Sequence, residues 1–168
     1  MRRIARSWDA VLSVMAGLIL FAFLQNSNRE LADGKPYLTA AITLGATVGI
    51  GWFVGSRWLT DHLSKEEYGE IVRAFDPSSS MTQRPYYFVS SLAFLLSLSS
   101  ILVMVTYENM PRGAVVTSYS ILFGLAIYSV LGSVSLGLIT RRHTSRASRV
   151  HALKEADARA SRLRDPNQ

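Results

Sequence analysis

Four runs of this sequence, residues 10–28, 36–56, 85–107 and 113–140, contain no Lys, Arg, Asp or Glu. They hold 19, 21, 23 and 28 residues, and about 20 mostly apolar residues let a helix cross the hydrocarbon core of a bilayer. All 18 basic and 12 acidic residues fall in the remaining segments. A charge at the centre of a span costs about 2.5–3.5 kcal/mol on insertion scales, so segregation this complete is what membrane spans require. The expected fold is all-α: an integral membrane bundle of four antiparallel transmembrane helices, plus a cytoplasmic amphipathic helix and a basic C-terminal helix. Spans are expected at about 8–28, 36–59, 85–107 and 113–140. Residues 1–140 form the transmembrane domain and 141–168 a basic cytoplasmic tail.

Basic residues set the orientation. With both termini in the cytoplasm, the inner segments carry 15 of the 18 Lys and Arg residues, and the outer loops carry only Arg29, Lys35 and Arg112. A positive-inside bias of this size in short loops predicts an integral protein of the plasma (inner) membrane with N- and C-terminus cytoplasmic. The net charge of +6 then points to anionic headgroups of the bilayer rather than to nucleic acid. The first span has a basic leader segment but no small-x-small cleavage site after Leu24, so an uncleaved signal anchor is expected, with Trp8 and Asp9 at the interface. There is no cysteine, hence no disulfide or thiolate metal site.

The outer loops are too short for a receptor domain, and they force spans one and two, and three and four, into hairpins. The inner connection, residues 57–84, says more. Ser64-Lys65-Glu66-Glu67 reads as a capping box. It opens a helix over about 65–75 with Tyr68, Ile71, Val72 and Phe75 at i, i+3, i+4, i+7, stopped by Asp76-Pro77. That apolar stripe must be covered by the membrane interface, by the protein's own bundle or by a cytoplasmic protein partner. The acidic residues of this segment read as helix-surface charges. In the tail, Arg141, Arg142, Arg146 and Arg149 form a juxtamembrane lipid-headgroup anchor, followed by a solvated Ala-rich helix over 150–164.

Small residues mark the packing faces. The second span contains two GxxxG pairs, Gly45 with Gly49 and Gly51 with Gly55. Such pairs let backbones approach closely in lipid, within the bundle or between subunits of a homo-oligomer. Ser129, Ser133 and Gly137 continue the pattern in the fourth span, as does Ser120-x-x-x-Gly124. Ser90, Ala93, Ser97 and Ser100 make a stripe in the third, readable as interhelix packing or as a weakly polar seam.

Chemistry finds no foothold. The charge-free runs contain no ionisable pair for proton or metal transport, and no nucleophile–base pair, P-loop, H-E-x-x-H or G-x-S-x-G is present. No catalytic residue, cofactor or metal is expected, and the protein is read as a non-enzyme. Two functions remain. One is a membrane scaffold or accessory subunit that contacts a cytoplasmic or membrane protein partner, or lipid, through its inner helix and tail. The other is a self-associating pore-forming or membrane-perturbing effector; the layout is similar in general architecture to small bacterial or phage proteins such as the holin-like effectors.

Overall fold

The computed structural model describes residues 2–26, 34–65, 67–78 and 80–164. Its elements are α1 (Arg2–Asn26), α2 (Lys35–Lys65), α3 (Glu67–Phe75), α4 (Ser80–Thr106), one 3-10 turn at Tyr107–Asn109, and α5 (Arg112–Arg164). All are helical. Four of the helices are long and apolar enough to cross a membrane.

The helix ends follow from local chemistry. Gly34 offers its carbonyl to the Leu38 amide at 3.0 Å, and Pro36 sits in the first turn, where a missing N–H breaks no helix bond. Gly34 also lies against the Tyr119 ring, which occupies the space a Cβ would need. At the other end, α2 runs through Lys65, so Ser64 belongs to α2 rather than opening α3. The side chains of the expected capping box, Ser64 to Glu67, lie outside the described residues, as do Ser79 and most of the first loop.

Asp76 closes α3, its amide donating to the Val72 carbonyl at 2.8 Å. Its carboxylate then accepts from the Thr82 amide at 2.9 Å and the Thr82 hydroxyl at 3.1 Å. By sequence Asp76 counts among the surface charges of the inner segment. It is instead a buried cap, because the first turn of α4 presents orphan amides that favour a carboxylate.

Helices α2, α4 and α5 form the core. Ser97 Oγ donates to the Ile42 carbonyl at 3.0 Å, Ser90 Oγ to the Gly49 carbonyl at 2.7 Å, and Gln83 Nε2 to Thr60 Oγ1 at 2.7 Å. Residue numbers therefore rise along α2 as they fall along α4. Helix α5 lies across this pair, and α1 stands outside it, packed chiefly on the back of α5. Two apolar clusters result. One, near the tight turn at Pro111, contains Leu38, Leu96, Tyr119 and Leu122; the other, near α3, contains Leu59, Tyr86, Leu136 and Ala147.

Helix α5 has 53 residues, about 80 Å at 1.5 Å per residue. From Val115 to Val150 its inward positions recur at alternating steps of four and three, the 3.5-residue repeat that keeps one seam on its neighbours in a left-handed wrap. The helix is continuous through residues 140 and 141, and residues 151–161 are exposed on every side. The expected tail helix is thus the far end of the fourth apolar helix. Its surface carries Glu155 paired with Arg159 at 3.6 Å, an exposed i, i+4 pair.

Candidate functional site where α3 docks on α5

A nine-residue helix is too short to persist alone in water. Helix α3 is held by Tyr68, whose hydroxyl lies 3.1 Å from Nδ1 of His143 on α5, with the two rings 6.2 Å apart. The phenol donates when Nδ1 is unprotonated. One turn on, Val72 packs against the apolar cluster that holds Leu59, Leu136 and Ala147. The expected stripe is therefore divided between two adjacent rows. Tyr68 and Val72 form the docking ridge, whereas Ile71 is 44% and Phe75 85% exposed.

Two further aromatic side chains reach the same seam of α5. Tyr86 bonds Thr140 Oγ1 at 2.9 Å, and Trp52 Nε1 donates to Ser133 Oγ at 2.9 Å. Their rings lie 5.8 Å apart. Each of α2, α3 and α4 thus contributes one aromatic body to the apolar cluster and one polar handle to α5, at positions 133, 140 and 143. Such bonds contribute about 0.5–1.5 kcal/mol each and fix the rotation of α5. By sequence Ser133 belongs to a small-residue row, and His143, Tyr86 and Trp52 belong to no site. The signal was present: the four-and-three stepping of α5 continues through Thr140 into His143, Ala147 and Val150.

The small residues separate into packed and open sets. A Cβ on Gly45 would stand 2.5 Å from the Ala93 carbonyl oxygen, and one on Gly49 3.0 Å from the Phe94 ring. Both face α4. Gly51 and Gly137 have nothing within 4 Å of that position, and Gly55 meets only Trp52 of its own helix. Ser129 is buried and donates to the Leu125 carbonyl. Ser90, Ser97 and Ser100 are buried, with every hydroxyl donating to a backbone carbonyl.

A second close approach joins α1 to α5. Gly17 lies so near the Ser120 carbonyl that a Cβ would stand 2.9 Å from it, and Gly124 faces the Ser13 carbonyl at 3.1 Å. Gly17 was not singled out from sequence, since its partner is distant in the chain. Nearer the α3 end, Ser135 Oγ donates to Asp9 Oδ2 at 3.0 Å, so this half-buried carboxylate rests on α5.

Beyond Thr140, Arg141, Arg142, Arg146 and Arg149 are all exposed. Among the described residues no three His, Asp or Glu side chains converge as a metal site would require. What this end of the molecule offers is a surface: a docked helix with two exposed apolar side chains, beside an arginine-bearing helical rod. No protein-family model matches the chain, and no curated protein or solved structure is detectably similar to it.

Proposed function

We propose that this is an integral membrane protein of four antiparallel spans with both termini cytoplasmic, and that it is a non-enzymatic scaffold or accessory subunit. Its working part is the platform made by α3 and the charged half of α5. The observation that carries this reading is the unbroken course of α5 from an apolar stretch into an exposed helix, with α3 clamped at the junction by Tyr68 and His143. A helix continuous across that boundary couples the bundle rigidly to whatever binds outside it. The four apolar helices, the 15-to-3 division of basic residues and the opposite running of α2 and α4 support the topology.

Ile71 and Phe75 are the proposed contact for a cytoplasmic or membrane protein partner. The test is affinity purification of the wild-type chain and of an Ile71→Asp, Phe75→Asp variant from the same membranes. The reading expects a partner retained by wild type at defined stoichiometry and lost from the variant. Rapid depolarisation of the membrane at modest expression, followed with a potential-sensitive dye, would favour the pore-forming alternative instead.

A further inference from the structure

The charge-free runs of α2 and α4 end at neighbouring arginines. Arg57 follows directly on the run ending at Ser56, and Arg84 directly precedes the one beginning at Pro85. The two helices are locked in register on either side of these residues. The rings of Phe53 and Tyr87 lie 6.1 Å apart, and Gln83 bonds Thr60 at 2.7 Å. Interpolating between those contacts sets Arg57 level with Arg84 on adjacent helices.

Both arginines are exposed. The Arg57 guanidinium carbon sits 5.5 Å over the centroid of the Phe53 ring, a cation–π contact that holds its charged head over that ring. Among the described residues no carboxylate is paired with Arg57 or Arg84. Phe53 and Tyr87 are themselves about 40% exposed, at 40% and 38%. The face is thus two exposed arginines at level positions of adjacent helices beside two partly exposed rings, at the edge of the charge-free runs.

We infer that this face, formed by Arg57, Arg84, Phe53 and Tyr87, is a binding site for the headgroup phosphate of an anionic phospholipid. A guanidinium presents a planar fork of donors matched to phosphate oxygens, and two arginines at level positions of adjacent helices bring two such forks within reach of one headgroup. The rings give the acyl chains an apolar wall just below, as aromatic residues do at membrane interfaces. Net positive charge selects anionic over zwitterionic lipid. The site is separate in sequence from Arg141, Arg142, Arg146 and Arg149. It rests on the proposed membrane insertion.

The test is native mass spectrometry of the full chain released from nanodiscs of mixed phosphatidylglycerol and phosphatidylcholine. Wild type is compared with R57Q/R84Q and with a tail variant, R141Q/R142Q/R146Q/R149Q. The expected result is preferential retention of phosphatidylglycerol by wild type and by the tail variant, with at least a fivefold fall in that preference for R57Q/R84Q. Equal retention by wild type and R57Q/R84Q, or loss only in the tail variant, overturns the inference while leaving insertion intact. Competition by inorganic phosphate at the same bulk concentration would also overturn it, since the site would then not require a lipid. A chain that is extracted from membranes by alkaline carbonate overturns the topology and the site together.

Discussion

At the scale of single residues, glycine has two different meanings in α2. Gly45 faces the backbone of α4, with an added Cβ only 2.5 Å from Ala93 O and 2.8 Å from Ser97 N, both atoms that cannot swing aside. Gly51 has open space in the same position. Gly45→Leu is therefore expected to cost about 1–3 kcal/mol through overpacking, read as a lowered unfolding midpoint in detergent. Gly51→Leu is expected to leave the midpoint of the monomer unchanged. If it abolishes a detergent-stable oligomer, the open face is a subunit contact. If both substitutions leave the midpoint unchanged, the close approach of α2 and α4 is wrong. A hydroxyl test is equally direct: Tyr68→Phe keeps the ring and removes the bond to His143, and should loosen α3 by about 0.5–1.5 kcal/mol. Faster amide hydrogen exchange confined to α3 is the expected signature.

Among the elements, α3 and α5 show where sequence reasoning reached and where it stopped. The four apolar runs are legible because charge is excluded from each by a large free-energy cost, and they correspond to α1, α2, α4 and the first half of α5. The period of Tyr68, Ile71, Val72 and Phe75 was legible too, but not which side of that stripe would be covered. A period locates an apolar face to within one or two rows; only the position of His143 and Ala147 selects the row holding Tyr68 and Val72. The continuity of α5 was obscured by a change in composition at Arg141. Charged residues on an exposed face do not terminate a helix, and residues 141–164 lack proline and glycine. Spin labels at Gly137 and Ala158 are accordingly expected about 31 Å apart with a narrow distribution, from a rise of 1.5 Å per residue. A broad or shorter distribution would mean a flexible joint at the junction, and the rigid platform would fail with it.

For the whole molecule, the proposed topology is the property on which the rest depends. Reporter fusions after Asp33 and Arg112 are expected to report the outer compartment, and fusions after Ser79 and Gln168 the cytoplasm. A cytoplasmic signal after Asp33 would exclude four spans. The arrangement of α1 has a consequence in time rather than in space. Its close contacts are with α5, through Gly17, Gly124 and the Asp9–Ser135 bond, and these two helices are the first and last of the described chain to be synthesised. In the proposed topology α1 must wait in the bilayer without its partner while α2, α3 and α4 emerge. Its outward face, with Val14, Leu18, Ile19 and Phe23 exposed, is suited to that wait. In that topology the step that joins the described helices is the late capture of an early helix by a late one, and a ribosome stalled before Gly124 would leave α1 a bystander to an otherwise assembled α2–α4 pair.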